Sequence, residues 1–199
     1  MHVPGIERIV PTQLDLPRHG VVANHAAAIQ PARRDGCYDA RVFEDRMEIP
    51  IHIAAAVPED YGWCAGVMAS SEPWTTLGRD LAACDAVLAR PGADLFVARR
   101  ADLGQRAGFI LLAPYGLGGS PYIATFAVAA EARGCGVGSQ LLRFAEQHFA
   151  GRRHLFLLVS SFNQRAQALY RRNGFESVGE LQDYVVAGHS ELIFHKGIQ

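Results

Sequence analysis

Residues 131–142 read EARGCGVGSQLL. Gly134, Gly136 and Gly138 fall at every second position, Arg133 precedes them, and a helix-like run follows. Glycine at that density costs backbone entropy on folding, which raises the question of what offsets it. An apolar stretch, PYIATFAVA over 121–129, leads in, so the order is strand, glycine turn, helix N-terminus. The first N–H groups of a helix lack intrahelical acceptors, and the helix dipole favours negative charge there. Small residues let phosphate oxygens approach the backbone, and Arg133 can add a charge-assisted hydrogen bond. The stretch reads either as a phosphate or pyrophosphate site or as a glycine-rich turn without a ligand. Two nucleotide patterns fit poorly. A P-loop needs Lys and Ser/Thr after its last glycine, whereas Ser139 and Gln140 follow Gly138 and Lys196 is the only lysine of the chain. The dinucleotide pattern G-x-G-x-x-G finds Ser139 or Leu141 where its third glycine belongs.

A second group lies in NQRAQALYRRNGF (163–175). Asn163 and Tyr170 are seven residues apart, and two helical turns bring them to nearly the same face. Alone, Tyr170 reads as a core aromatic of an amphipathic helix. The two groups together carry a family resemblance. Arg133-x-x-Gly136-x-Gly138, between an apolar strand and an amphipathic helix, resembles the acyl-CoA pyrophosphate loop of the GNAT N-acetyltransferases. Asn163-x-x-Ala166-x-x-Leu169-Tyr170, followed by Asn173-Gly174-Phe175, is similar to the last helix of that family. The resemblance covers roughly residues 50 to 196.

The resemblance implies an α/β fold with a GNAT-type central mixed, splayed β-sheet flanked by helices. It implies that pantetheine lies between the strand at 124–129 and the strand at 155–160, along Phe126, Ala127 and Val128. Phe126 and Val128 would be its backbone partners, and an N–H near Val128 would polarise the thioester carbonyl. The pyrophosphate would rest on amides from Arg133 to Ser139, with Gly134, Gly136, Val137 and Gly138 between them. Asn163 and Tyr170 would face the same groove, with Tyr170 as general acid toward the leaving thiolate. A tyrosine titrates near ~10 and a thiol near ~8.5, so complete proton transfer is uphill by about 2 kcal/mol. A hydrogen bond that passes its proton as charge develops avoids that cost. The acyl donor would be acetyl-CoA, and the acceptor a primary amine of a small molecule or a peptide. Many relatives place a glutamate on the central strand, but YIATFAV holds no carboxylate. Glu72, in SSEPW, is the preferred base; Glu131, Glu191, His189 and a water chain are the alternatives. Trp74 reads as an acceptor wall or as core. Arg152, Arg153, Arg171 and Arg172 read as solvated charges, with the 3′-phosphate of CoA as the alternative.

The surrounding elements must position these groups. Patterning over 51–57, 93–100, 106–115, 121–129 and 154–160 predicts strands, with two more near 177–185 and 190–195. Helices are predicted over 58–70, 75–90, 138–150 and 163–175, with Asn173-Gly174 as a stop. The order βααβββαβαββ implies a central sheet with helices around it. Residues 1–47 hold Pro4, Pro11, Pro17 and Pro31 and no persistent period, and read as a poorly ordered extension before a domain over 48–199. That shift also suggests Met47 as a natural start.

The 199 residues, 49% of them hydrophobic, suffice for one domain with a sizeable core. A formal net charge of −1 argues against nucleic acid or anionic lipid as partners. Cys37, Cys64, Cys84 and Cys135 are irregularly spaced, which suggests neither a metal site nor a redox pair. No membrane span or secretory signal is visible, so the cytoplasm is the expected compartment. A homodimer is compatible with the sequence. Beside the enzyme stand two other classes: an acyl-CoA-binding sensor without turnover, and, more weakly, a nucleotide-binding module.

Overall fold

The computed structural model describes residues 48–199; the readings made for 1–47, the natural start at Met47 included, lie outside the described residues. The elements are β1 (Ile51–Ala55), α1 (Pro58–Ala69), α2 (Leu81–Leu88), β2 (Asp94–Arg100), β3 (Arg106–Ala113), β4 (Tyr122–Val128), α3 (Val137–His148), β5 (His154–Ser160), α4 (Gln164–Arg172), β6 (Glu176–Val186) and β7 (His189–Gly197). The strands form one mixed sheet in the order β1-β2-β3-β4-β5-β7-β6. Every neighbouring pair is antiparallel except β4 and β5, which α3 joins as a crossover and which run parallel.

Helices cover both faces because the strands offer apolar residues to both. Under α3 and α4, Ile110, Leu112, Ile123, Leu155, Leu157 and Phe194 pack with Leu141, Leu142, Ala145 and Tyr170. On the opposite face, Cys64, Met68, Cys84 and Leu88 of α1 and α2 pack on Leu95, Val97, Phe109, Leu111 and Ala127. Burial of each large side chain contributes about 1.5–3 kcal/mol. In α3 the buried stripe is Val137, Leu141, Leu142 and Ala145, with Phe149 just beyond the helix. His148, one turn from that stripe, is exposed.

The second helix is shorter than its predicted span of 75–90. Asp80 caps α2 by accepting a hydrogen bond from the Ala83 N–H at 2.8 Å, which fixes its start. Gly78 takes a φ of +63°, outside helical space, and residues 71–78 form turns instead.

One buried ion cluster ties α1 to the sheet. The Asp60 carboxylate is 1% exposed, accepts from the Val57 N–H at 3.0 Å, and is clamped by Arg99 Nη2 and Arg106 Nε, each at 2.7 Å. Burial pushes its carboxyl up, but the Val57 N–H and the two guanidiniums outweigh that and hold it below the usual carboxylate range. Both arginines are about one-third exposed, so water screens part of the attraction. Asp60→Asn leaves two cations facing a neutral amide, with an expected loss of about 2–3 kcal/mol in denaturant unfolding at neutral pH. The carboxyl is depressed, so its contribution is complete above the ordinary aspartate range and disappears as pH falls through its lowered value. The variant's stability curve should lack that acid-side loss.

Candidate active site

β4 and β5 pair only through Tyr122↔Phe156 and Ile123↔Leu157, and beyond those two positions they part. The remaining length of β5 stays paired to β7 as far as Ser160↔Glu191, and β4 stays paired to β3 as far as Gly108↔Val128. A wedge therefore opens between β4 and β5 toward their C-terminal ends. The backbone decides what it offers. The Ala129 N–H donates to the Ala107 carbonyl at 2.9 Å, so alternation turns Ala129 and Ala127 toward β3 and leaves Val128 and Phe126 facing the wedge. A register shift at Leu111/Leu112 marks a β-bulge around Ala124. After it, Phe126 and Val128 present side chains to the α3/α4 face, and Ala124 and Ala127 to the α1/α2 face. The neighbouring Thr125 Oγ1 is a buried side-chain oxygen without a hydrogen-bond partner, the single one among the described residues. Unpaired backbone and an orphaned hydroxyl beside a gap suit an extended ligand that carries amides.

The glycine stretch closes the wide end of the wedge. Gly136 is the N-cap of α3 with φ +78°, and no side chain caps the helix. The first intrahelical bond runs from the Gln140 N–H to the Gly136 carbonyl, so the amides of Val137, Gly138 and Ser139 lie ahead of the ladder as orphan donors. Gly134 also has a positive φ of +82° and lies in open space. A Cβ on Gly138 would come within 3.0 Å of Leu169 Cδ2 and 3.4 Å of Phe126 Cζ, so this glycine brings α3 close to α4 and β4. The Ser139 hydroxyl accepts from Asn173 Nδ2 at 3.2 Å, a second tie to α4. Arg133 turns back from the loop. Its Nε donates to the Val128 carbonyl at 3.0 Å and its Nη2 to Ser71 Oγ at 2.9 Å. Two of its five N–H donors are thus engaged within the protein, and the Val128 carbonyl is occupied while the Val128 N–H faces the wedge.

Tyr170 comes to the wedge from α4. Its ring lies 6.1 Å from that of Phe126, 6.0 Å from Phe175 and 5.9 Å from Phe194, centroid to centroid. It is 7% exposed, and burial, helped by Tyr122, pushes its phenol well above the usual range. That favours the protonated form, a hydrogen-bond donor, and makes outright proton release harder. Asn163 is the N-cap of α4, its Oδ1 accepting from the Ala166 N–H at 3.1 Å. Its amide N–H groups stay free for another partner.

The sequence profile of the acetyltransferase (GNAT) family matches residues 55–175, more than half of the chain. The chain belongs to the GNAT acetyltransferase family. Solved structures agree on the fold. A Desulfovibrio desulfuricans protein assigned to the GNAT acetyltransferases is 20% identical, with a TM-score of 0.63 over 75% of this chain and 100% of its own. The spermidine N-acetyltransferase of Vibrio cholerae, solved with CoA and spermine, is 16% identical with a TM-score of 0.58, over 74% and 95%. An aminoglycoside 6′-N-acetyltransferase solved with coenzyme A is 13% identical with a TM-score of 0.59, over 74% and 97%. No curated protein sequence matches the chain. Among the described residues of this acetyltransferase, no helix is long and apolar enough to cross a membrane.

A transferase that acts on amines also needs a proton acceptor, and the carboxylates named from the sequence differ sharply. Glu72 is exposed, accepts from Thr75 Oγ1 and the Thr76 N–H, and so caps its own turn. The Thr75 hydroxyl, followed by Thr76, holds its carboxyl below the usual glutamate range, which makes it a weaker base. Glu131 is exposed in the turn after β4. Glu191 is 6% exposed and bonded to Ser160 in the arm of the wedge. Trp74 is half-buried and packs on the α1/α2 core. Among the four arginines at helix ends, Arg171 stacks over Phe194 and Arg152 over Tyr115.

Gly138 offers a direct check of the loop. Gly138→Val must push Leu169 and Phe126 away, and it should raise the dissociation constant for acetyl-CoA at least ~10-fold in calorimetry, about 1.4 kcal/mol. Gly62→Ala in α1, with no atom within 4 Å of the added Cβ, should leave it unchanged.

Proposed function

We propose that this GNAT protein transfers the acetyl group of acetyl-CoA to a primary amine by direct attack within the wedge. The observation that carries the reading is the parting of β4 and β5 beside an uncapped, glycine-started helix. The orphan amides of Val137, Gly138 and Ser139 receive the pyrophosphate, and Gly134 and Gly136 supply the positive φ that aims them. Pantetheine lies along Phe126, Ala127 and Val128, paired with the backbone of Phe126. The Val128 N–H, free on the wedge side, polarises the thioester carbonyl. Asn163 donates to pantetheine from the start of α4. The amine nitrogen attacks the carbonyl carbon, the C–S bond breaks, and Tyr170 hydrogen-bonds the departing thiolate and passes it a proton. Arg133 acts at the loop's edge, fixing the Val128 carbonyl so that the adjoining amide keeps its aim.

The acceptor is a primary amine of a small molecule or a peptide. The similar solved structures include enzymes named for spermidine and for an aminoglycoside, which makes small polyamines the first probes. The test combines acetyl-CoA calorimetry with thiol release against spermidine, an aminoglycoside and short peptides with free N-termini. Saturable binding and amine-dependent release are expected. No binding of acetyl-CoA overturns the reading, and binding without transfer makes the protein a sensor. Tyr170→Phe should lower kcat about 100-fold while the acetyl-CoA dissociation constant stays within roughly twofold.

A further inference from the structure

Glu191 is the outlier among the carboxylates. In β7 it stands opposite Ser160, and its carboxylate accepts from Ser160 Oγ at 2.5 Å. Ser160 is the last residue of β5, beyond the final β4–β5 pair at Ile123↔Leu157, so the two occupy the open arm of the wedge. Leu192 and Phe194 point into the α3/α4 core, and alternation sends Glu191 to the other face. On that face the core under α1 and α2 includes no residue of β5, β6 or β7. Among the described residues no arginine, lysine or histidine forms an ion pair with Glu191. A buried carboxylate with one neutral donor is costly unless a cation joins it.

We propose that Glu191, held by Ser160, binds the ammonium of the acceptor and takes its proton. The proposal rests on the acetyl-transfer reading and adds the base that Glu72 cannot readily supply. One ammonium proton passes to the Glu191 carboxylate and on to solvent, which frees the nitrogen lone pair. That pair forms the C–N bond as the C–S bond breaks. The proton released from nitrogen on C–N formation ends on the CoA sulfur, with Tyr170 as the donor in between. The substrate class is thus an amine that arrives as a cation.

The groups around Glu191 set its pH dependence. Ser160 faces it from β5, Tyr122 from β4 and His189 from its own strand; Tyr184 of β6 and Arg90 beyond α2 lie beside Tyr122. Burial pushes the Glu191 carboxyl up, and the Ser160 hydroxyl pulls it partly back. Tyr122, itself pushed up to about 12 by burial and by Glu191, stays neutral. A base works only when ionised, so kcat/KM should fall on the acid side along a limb above the ordinary glutamate range. Ser160→Ala removes the group that lowers the carboxyl, and the limb should move to higher pH.

The experiment records kcat/KM against pH for the best amine of the panel, with acetyl-CoA calorimetry on every variant. Glu191→Gln should lose about 100-fold or more and retain its acetyl-CoA affinity. Ser160→Ala should shift the acid limb upward, and Glu180→Gln, the same change on the exposed face of β6, should match wild type. A Glu191→Gln variant with the wild-type rate and profile overturns the proposal. If that variant no longer binds acetyl-CoA, Ser160→Ala decides, and an unmoved limb overturns it. If the wild type binds acetyl-CoA but acetylates no amine, the acetyl-transfer reading fails and this inference fails with it. If the wild type turns over and Glu191→Gln matches it, only this inference fails.

Discussion

Two residue pairs hold β4 to β5, and the proposed reaction depends on the absence of a third. A parallel pair that continued would satisfy its own backbone groups and leave nothing for a ligand. The separation is sustained from both sides. β7 keeps β5 paired to Ser160, β3 keeps β4 paired to Val128, and α3 and α4 fill the face beneath with Leu141, Leu142, Leu169 and Tyr170. The wedge is therefore a rigid feature of a packed sheet, and backbone groups on such elements hold their aim better than groups on loops.

The two helix pairs divide the work. In the proposed reaction α3 and α4 build the donor side: an uncapped helix start, a glycine that lets Leu169 come close, and a tyrosine packed on Phe126. α1 and α2 pack on the other face, and the loop between them carries Ser71, Glu72 and Trp74. The Asp60 cluster locks the start of that pair to β2 and β3, and the 71–80 loop is tied down separately, by Trp74 on the α1/α2 core and by Ser71 on Arg133. The bulge near Ala124 matters to both, because it switches which residues of β4 face which pair.

Much of this was legible from residue order. The element order, the turn at Gly134–Gly138 and the helix around Tyr170 follow from local periods and from glycine chemistry. Of what escaped, part is local side-chain capping and part depends on contacts distant in sequence. The start of α2 at Asp80 was hidden because 75–90 is apolar enough to read as helix throughout, and only the Asp80–Ala83 cap and the Gly78 backbone decide it. The capture of Glu72 by Thr75 and Thr76 was local, and the Thr-Thr pair three residues on was its signal. The burial of Glu191 was not, since it requires the β5–β7 register that pairs it with Ser160. The return of Arg133 onto Ser71 joins residues sixty-two apart, and no pattern around EARGCG announces it.

That arginine has one more consequence. Its guanidinium spans the end of β4, where the donor's thioester lies in the proposed reaction, and the loop beside Glu72 and Trp74. One planar group thus answers to two neighbourhoods. Any ligand that draws Arg133 tighter on one side alters the restraint on the other, and free-energy linkage makes the effect equal in both directions. In the proposed reaction, whatever settles against Ser71 is therefore tied through Arg133 to the donor at the end of β4.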